Sequence, residues 1–364
     1  MDDRTMSDEY SYRVRSPGRV NLIGEHTDYT GGYVLPMATD LHTQLEAAPD
    51  DDVTVYSAAL EEQRTFSTTD RERDDDWTDY VKGCYAVLEA EGHRPGGFRG
   101  ELSGDLPLGS GLSSSASLEL AVMAFLNEAY DLGLSRERLA ELSQRVENDF
   151  VGVSCGIMDQ FAVALGEANH ALHLDTGTME YETVPFPEDV QVVVFHTGVE
   201  RELVDSAYNQ RRETVEAAMK TLGVDSSVEL EADDLDGLTP RQRQRLGYVV
   251  RENDRVDRAV EVLESGDVGA FGNLLVKAHH DIAENYEASC PELDYVVEAA
   301  VKQGAYGARL TGAGWGGAAI ALVDASEAET FAKSLQEEYE YRFPEHDPAV
   351  HLIAPSDGVS VSRM

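Results

Sequence analysis

Three glycine-bearing segments of this sequence contain residue types that can bind polar ligands. In the first, Arg15–Tyr29, arginine, glutamate, histidine and aspartate lie close together along the chain. Such a dense mixture of hydrogen-bond donors and acceptors suits a polyhydroxylated ligand, because each neighbouring hydroxyl needs its own partner. A solvated loop is the alternative explanation for any one of these residues.

The second segment, Leu106–Ala116, contains glycines and small hydroxyl residues and leads directly into a helical pattern. Backbone N–H groups at the start of a helix, assisted by the helix dipole, bind anions such as phosphate. An ordinary helix with a serine cap is the alternative. The sequence contains no GxxxxGK[ST] motif, so a P-loop is excluded as the nucleotide site.

The third segment, Gly307–Gly317, is rich in glycine and precedes an apolar run. It is compatible with a tight turn and close backbone packing. It is equally compatible with backbone that approaches a phosphate or the substrate. By itself the segment does not decide between these roles.

Helices and strands must position these segments, and the sequence predicts both kinds of element. Alternation over residues 12–15 predicts a strand that leads into a polar loop. Apolar residues at helical spacing predict a helix after Ser113, and Ser135 is a suitable N-cap for a further helix.

Later in the chain, the apolar runs Val192–Phe195 and Ala318–Val323 predict buried strands. The acidic stretch 224–240 predicts a surface excursion. The alternation of helix and strand patterns indicates a mixed α/β or α+β architecture, with a domain boundary near 165–190.

The composition is strongly acidic. The 364 residues include 29 lysines and arginines against 69 aspartates and glutamates, a net charge of −40. Such a protein does not hold a nucleic-acid backbone or an anionic membrane by bulk electrostatics. Hydrophobic residues make up 42% of the chain, so a substantial core is expected despite the charge. No apolar run approaches the roughly 18–20 residues that span a bilayer.

The cations and cysteines indicate where the protein works. Lysine is scarce, arginine supplies most of the positive charge, and acidic runs fall in predicted loops. We interpret this as adaptation to a salt-rich interior, where about 1 M salt screens repulsion to about 3 Å. Full folding and activity in salt-free buffer would contradict this halophile hypothesis. Three cysteines without a CxxC motif, and an acidic N-terminus without a secretory pattern, predict a cytoplasmic protein.

In this order and spacing, the three segments resemble those of the GHMP kinases, small-molecule kinases named for galactose, homoserine, mevalonate and phosphomevalonate. The run GRVNLIGEHTDY, Gly18–Tyr29, is similar to the signature of the galactokinase branch. The second segment resembles the family's ATP-phosphate loop, and the third its C-terminal glycine motif. Further segments match the galactokinase pattern at Trp77–Gly83, Cys155–Gln160, Tyr208–Arg212 and Ser289–Asp294.

The resemblance covers nearly the whole chain and implies an α+β fold of two domains, with the active site in the cleft between them. We expect an N-terminal GHMP kinase domain over 1–175, with the sugar signature and phosphate loop. A C-terminal GHMP kinase domain over 176–364 would contain the glycine motif 307–317.

The implied activity is that of an ATP-dependent sugar kinase, which phosphorylates the anomeric C1 hydroxyl of galactose by direct in-line transfer. The partners would be a small-molecule sugar and ATP, with no nucleic acid and no membrane. The oligomeric state is left open.

The family pattern also implies roles for single residues. Asp159 would be the catalytic base that takes the proton of the anomeric hydroxyl. Arg19 would hold Asp159 in its charged form and stabilise charge on the transferring phosphoryl group. The residues that match sugar-binding positions are Arg19, Glu25, His26, Asp28, Gly156, Asp159 and Tyr208.

The implied nucleotide is ATP with bound Mg²⁺, which bridges the β- and γ-phosphates. The family's metal ligands correspond to Ser115 and Glu147. Trp77 matches a tryptophan near the adenine, although a core aromatic residue is the alternative. The residues that match ATP-binding positions are Trp77, Leu108, Gly109, Ser110, Gly111, Leu112, Ser113, Ser114 and Ser115.

Two other functions stay open. Small departures from the galactokinase pattern, at His196, Gly31–Gly32 and Trp315, would allow a different acceptor, such as a pentose or ribose 1-phosphate. A second phosphate would need additional cations, for which His196 and Arg201 are candidates. A sugar-sensing homologue without catalysis is the third possibility, but the phosphate loop and both acidic residues of the implied site are present.

Overall fold

The computed structural model describes residues 10–109, 111–199 and 204–364, so that Ser110 and Arg201 lie outside the described residues. Its strands are β1 (Tyr12–Asn21), β2 (Tyr33–Val34), β3 (Pro36–Asp50), β4 (Val53–Ser57), β5 (Glu62–Phe66), β6 (Gly97–Gly104), β7 (His170–Asp175), β8 (Tyr181–Pro185), β9 (Val190–His196), β10 (Gly307–Thr311), β11 (Ala318–Asp324), β12 (Ala349–Ile353) and β13 (Ser360–Arg363).

The α-helices are α1 (Thr78–Ala90), α2 (Ser114–Ala129), α3 (Arg136–Arg145), α4 (Met158–Leu165), α5 (Val204–Leu222), α6 (Pro240–Glu264), α7 (Val268–Asp281), α8 (Pro291–Lys302) and α9 (Ala328–Arg342). Turns of π-helix follow α3 at Val146–Val151 and α7 at Ile282–Tyr286. Short 3₁₀ helices lie at Ser227–Glu229 and Ala232–Leu235.

The chain forms two compact units, and it passes from one to the other more than once. The first unit comprises the residues through Arg19, then Ala38–Gly166 and Asp357–Met364. The second comprises Val20–Met37 and Glu167–Ser356. The expected division into domains 1–175 and 176–364 stays a prediction.

The first unit is built on a six-stranded sheet in the order β13-β1-β3-β6-β4-β5. Strand β4 runs parallel to β6 and antiparallel to β5. Helix α2 contacts α1, α3 and α4. All residues from Leu120 to Leu126 are apolar and buried, which is typical of a helix in the centre of a core.

Two predicted elements of this unit are confirmed, and one expectation is corrected. Helix α2 begins after Ser113, and the Ser135 side chain caps α3 by accepting a hydrogen bond from Arg138 N. The predicted strand at residues 12–15 is present, but it does not give way to a loop, since β1 continues through Gly18 to Asn21. The strand lies beside β3 in the sheet, and Arg19 N also donates a hydrogen bond to Leu112 O, which ties β1 to the second glycine segment.

The second unit contains a four-stranded antiparallel sheet in the order β10-β11-β9-β12 and a three-stranded sheet in the order β2-β7-β8. Strands β9 and β11 confirm the buried strands predicted from the apolar runs. The stretch 224–240 is not a simple surface excursion, because Leu230, Leu235 and Leu238 pack into the core of this unit. Among the described residues, no helix is long and apolar enough to cross a membrane.

Candidate active site

Asp159 and Arg19 form a two-pronged ion pair within the first unit. Asp159 lies in the first turn of α4, and Arg19 lies in β1. Arg19 Nε donates to Asp159 Oδ1 at 2.7 Å, and Arg19 Nη2 donates to Oδ2 at 2.6 Å. Arg19 Nη1 also donates to Gly111 O at 2.7 Å. The guanidinium therefore fixes the carboxylate against the second glycine segment, in the geometry that arginine favours with carboxylates.

Ser113 provides a third contact to this carboxylate, a role not foreseen from the sequence. The residue occupies the N-cap position of α2 but has left-handed dihedral angles, φ 62° and ψ 48°. Its side chain makes no capping bond and donates instead to Asp159 Oδ2 in a short hydrogen bond. A non-glycine residue in this conformation costs of order 1–3 kcal/mol. The hydrogen bond to Asp159 helps to offset that cost.

These contacts leave one oxygen of Asp159 less engaged than the other. A carboxylate offers about four lone-pair positions. Within the described part of the chain, Oδ2 accepts from both Arg19 and Ser113, whereas Oδ1 accepts from Arg19 alone. Oδ1 can therefore accept a hydrogen bond from a substrate hydroxyl, which is the geometry that a general base requires.

Ser115 and Glu147 also meet within the first unit. Ser115 Oγ donates to Glu147 Oε1 at 2.9 Å, and Gln160 Nε2 donates to the same oxygen at 3.3 Å. Glu147 lies in the π-helical turn after α3 and is buried. Burial, followed by the charge of Asp159, raises the pKa of the Glu147 carboxyl.

This pair of oxygen ligands fits a magnesium ion. Magnesium prefers oxygen, and it usually takes one or two protein ligands together with phosphates and water. No cluster of three or more histidine, cysteine, aspartate or glutamate residues that could hold a metal occurs among the described residues. A bound dication would also offset the burial of the Glu147 charge.

The other residues matched to the nucleotide and sugar lie in varied surroundings within the first unit. Leu108 is 60% exposed at the start of the phosphate loop. Trp77 is half-buried just before α1, and its Nε1 donates to Glu62 Oε2 at 3.2 Å. Gly156 is buried just before α4. The predicted contacts of these residues with ligands stay predictions.

In the second unit, Glu25 belongs to a buried network of charges. Arg309 forms ion pairs with both Glu25 and Glu252, the latter at 2.9 Å. Glu25 is 1% exposed, and the two other residues are 0% exposed. Burial raises the pKa of Glu25 to about 7, with Arg309 lowering it and Glu252 raising it further.

His26 is held by protein groups at both ring nitrogens. Nε2 lies 2.9 Å from Ala313 O, and Nδ1 lies 3.0 Å from Tyr29 Oη. Because a carbonyl can only accept, Nε2 carries the proton and Nδ1 accepts from Tyr29. Burial lowers the pKa of His26 to about 4, which keeps the ring neutral near pH 7. The hydroxyl of Tyr29 in turn meets that of Tyr286 at 2.5 Å.

Several aromatic rings surround His26. The ring of Tyr208 lies 5.4 Å from it, that of Tyr286 4.7 Å and that of Trp315 5.7 Å. Asp28, two residues along the chain, is only half-buried. The structure thus gathers His26 and Tyr208 in one cluster and leaves the Asp28 carboxylate partly accessible.

Sequence reasoning missed several residues that hold these groups in place. Tyr29 lies inside the first glycine segment and Arg309 inside the third, so their positions offered a signal. Glu252 and Tyr248 lie on α6, far from any motif, and only their contacts identify them. Tyr286 lies just before the segment Ser289–Asp294, whose resemblance did not indicate a role for it. The sequence matched Ser113 to an ATP-binding position but did not indicate its hydrogen bond to Asp159.

Comparisons with known proteins fit this arrangement. The family model of the GHMP kinases N-terminal domain matches residues 79–167, and that of the C-terminal domain matches residues 259–340. The galactokinase galactose-binding signature matches residues 4–49. A galactokinase of Thermococcus kodakarensis is 54% identical, over 96% of this chain and 99% of its own length. One of Pyrococcus furiosus is 49% identical, over 96% and 99%.

Solved structures show the same relationship. The galactokinase of Lactococcus lactis complexed with galactose has a TM-score of 0.90 and 37% identity, covering 97% of this chain and 95% of that one. The mevalonate kinase of Methanococcus jannaschii, at 19% identity and a TM-score of 0.69, shares the fold alone. On this identity, coverage and signature, the chain belongs to the galactokinase family of the GHMP kinases.

Proposed function

We propose that this protein transfers the γ-phosphoryl group of ATP to the C1 hydroxyl of galactose, giving galactose 1-phosphate and ADP. The observation that carries the proposal is the ion pair of Asp159 with Arg19 beside the phosphate loop. It occurs in a chain 54% identical to a galactokinase over nearly its whole length. The archaeal relatives also favour an archaeal type of enzyme.

The proposed reaction is a direct in-line displacement. Asp159 Oδ1 accepts the proton of the anomeric hydroxyl while that oxygen forms its bond to the γ-phosphorus. The bond between the γ-phosphorus and the bridging oxygen breaks, and ADP leaves with its electrons. Arg19 and Ser113 hold the carboxylate so that its reacting oxygen does not need to reorganise.

The nucleotide is assigned to the phosphate loop and its neighbours. The backbone of residues 109–115 and the hydroxyl of Ser114 would cradle the phosphates, and Trp77 would lie near the adenine. Ser115 and Glu147 would hold Mg²⁺, which when bound withdraws charge from the phosphate oxygens.

Sugar binding is assigned to Glu25, His26, Asp28, Tyr208 and the backbone of Gly156. The support is the match of the galactose-binding signature to residues 4–49 and the hydrogen-bonding capacity of these groups. Within the part of the chain that the structure describes, Oε1 of Glu25 accepts only a long bond of 3.4 Å from Gly312 N, so a sugar hydroxyl could take the place of that bond.

The alternative acceptors receive less support. Of the two cations considered for a second phosphate, Arg201 lies outside the described residues, and His196 Nδ1 accepts from Gly198 N at 3.2 Å. A panel of galactose, glucose, ribose and ribose 1-phosphate, with ATP, Mg²⁺ and molar KCl in the assay, decides among them. Galactose is expected to give the highest kcat/KM, and a much higher value for another acceptor would overturn the proposal. The reaction is proposed to take place in the cytoplasm of a halophile.

Asp159→Asn tests the assignment of the base. Asparagine keeps the size of the side chain but cannot take up the proton, and removal of a general base typically costs about 10²–10⁴-fold in rate. We expect kcat to fall by about this factor while the affinity for ATP, measured by titration, stays near that of the wild type. A variant with near-normal turnover would exclude Asp159 as the base.

A further inference from the structure

One helix of the second unit holds the backbone of the sugar signature. Tyr248, on α6, donates its hydroxyl to Glu25 O at 3.0 Å. On the same helix, Glu252 Oε1 accepts from Gly24 N and Asn253 Oδ1 from Tyr33 N, both at 3.0 Å. All three side chains are buried, and their spacing along the helix places them on one face. Helix α6 therefore holds the backbone of the segment 24–33 in place through these three hydrogen bonds.

Glu252 does more than hold the backbone, because it shares a cation with Glu25. Its Oε1 also accepts from Arg309 Nη1 at 2.9 Å, and its Oε2 accepts from Arg255 Nε at 2.6 Å. Arg309 Nη2 is paired with Glu25 Oε2. The guanidinium of Arg309 is thus divided between two buried carboxylates.

This division has a predictable consequence for Glu25. Without the charge of Glu252, Arg309 is free to turn both its terminal nitrogens toward Glu25, in the paired geometry that arginine and carboxylates favour. Both oxygens of Glu25 would then be occupied by Arg309. With Glu252 in place, Oε1 of Glu25 accepts only the long bond from Gly312 N among the described residues.

The cost of this network also argues for a role beyond folding. Buried ion pairs often contribute little or nothing to net stability, because removing charges from water is expensive. The buried network contains the two carboxylates of Glu25 and Glu252 and the single guanidinium of Arg309. Arg255 connects them to Asp281, and Arg251 connects Asp281 to the surface.

We propose that Glu252 is a positioning residue for the sugar: it fixes the backbone at Gly24 and holds Arg309 so that Glu25 keeps an oxygen for a sugar hydroxyl. This inference rests on the proposed galactokinase activity. Glu252 itself does not touch the sugar, so its removal should affect galactose and leave the nucleotide unaffected.

The test is a double-mutant cycle on galactose binding, measured by calorimetry with galactose alone. Glu252→Gln is expected to weaken galactose affinity by about tenfold and to raise the KM for galactose similarly, with the KM for ATP unchanged. In the background of Glu25→Gln, Glu252→Gln should have little further effect. The reason is that residue 25 then has no carboxylate oxygen for Glu252 to keep available to the sugar. Additive effects of the two substitutions, or an equal loss of ATP affinity, would contradict the inference.

Two further variants control for stability. Arg251→Gln removes the exposed end of the same network and should leave galactose affinity at the wild-type value. Tyr248→Phe removes only the hydrogen bond to Glu25 O and is expected to weaken galactose about two- to threefold. Glu252→Asp provides the test if Glu252→Gln does not fold, because the shorter side chain withdraws the carboxylate from Gly24 N and Arg309 while keeping its charge. An unchanged galactose affinity in Glu252→Asp would overturn the inference.

The outcomes separate this inference from the proposed function. If the wild-type protein neither binds nor phosphorylates galactose, the proposed function is wrong and the inference is wrong with it. If the wild type uses galactose and Glu252→Gln binds it equally well, only the inference on Glu252 is wrong.

Discussion

At the scale of single residues, the arrangement around Asp159 depends on side chains that each give up an ordinary local role. Ser113 occupies a cap position yet directs its hydroxyl to Asp159. Arg19 lies within a strand, yet its three guanidinium nitrogens donate hydrogen bonds to Asp159 and Gly111. Such departures from local preference are typical of functional sites, where the surrounding structure supports the strain.

Ser113→Ala tests the third contact to the proposed base. Hydrogen bonds to charged groups contribute about 1.5–3 kcal/mol, so we expect kcat to fall roughly tenfold or more. Steady-state kinetics with saturating ATP measures this effect. Ser114→Ala is the matched comparison, for which we expect a change in the KM for ATP rather than in kcat. Equal effects on both constants in both variants would argue against a specific role of Ser113.

The pKa of Glu25 gives a second prediction at this scale. Its value of about 7 means that the carboxyl takes up a proton as the pH falls from about 8 to about 6. Protonation removes the negative charge of Glu25, which is paired with Arg309. We therefore expect the KM for galactose to rise as the pH falls over this range. His26, with a pKa of about 4, does not titrate there.

The control for this pH dependence is Glu25→Gln. In that variant, the KM for galactose should be higher at all pH values and should not vary around pH 7. A wild-type profile that is flat between about pH 6 and pH 8 would exclude titration of Glu25 in the enzyme.

At the scale of elements, the phosphate loop depends on how closely β1 approaches it. Gly18 allows this approach, because a Cβ there would lie 2.5 Å from Leu106 Cδ1 and 2.8 Å from Leu112 O. The tip of the Leu106 side chain could move aside, but a Cβ at 2.8 Å from Leu112 O would require movement of the loop backbone. The glycine of the signature is therefore required for packing.

Gly18→Ala should consequently affect both stability and nucleotide binding. Overpacking typically costs about 1–3 kcal/mol, and the displaced atoms belong to the phosphate loop. We expect a loss of this size in denaturant unfolding, together with weaker ATP binding. Gly269→Ala in α7 is the control, since the added methyl group meets only Asp267 Oδ1 at 3.7 Å. That variant should be neutral or slightly more stable, as alanine favours helices by up to about 1 kcal/mol.

At the scale of the whole molecule, the net charge of −40 opposes the approach of an anionic nucleotide. If the proposed function is correct, Arg19, the backbone donors proposed for residues 109–115 and bound Mg²⁺ would have to offset this field locally. Salt screens the long-range repulsion more strongly than these close contacts. We therefore expect the affinity for ATP to improve as KCl rises from low to molar concentration. A KM for ATP that worsens steadily over this range would show that the acidity is not mainly a surface adaptation to salt.

The sequence by itself determined the motifs, the family resemblance and the main elements around them. Glycine and serine spacing indicated a candidate phosphate loop, which stays a prediction. Apolar periodicity located α2, and continuous apolar runs located β9 and β11, because these signals depend on neighbours along the chain. The predicted loop after residue 15 was wrong, because contacts with distant residues prolonged the strand. The predicted surface excursion at 224–240 is confirmed for its mostly exposed residues, but the sequence did not show that its leucines pack into the core.

Only the tertiary structure decided which side chains hold the site residues in place. Ser113 on Asp159, and Glu252 and Arg309 around Glu25, are pairs separated by tens or hundreds of positions in the sequence. These contacts depend on which distant segments the fold brings together and on how the side chains are oriented there, and neither leaves a signal among neighbours along the chain. The residue types proposed to perform the chemistry could thus be selected from the sequence, whereas the contacts that orient them required the fold.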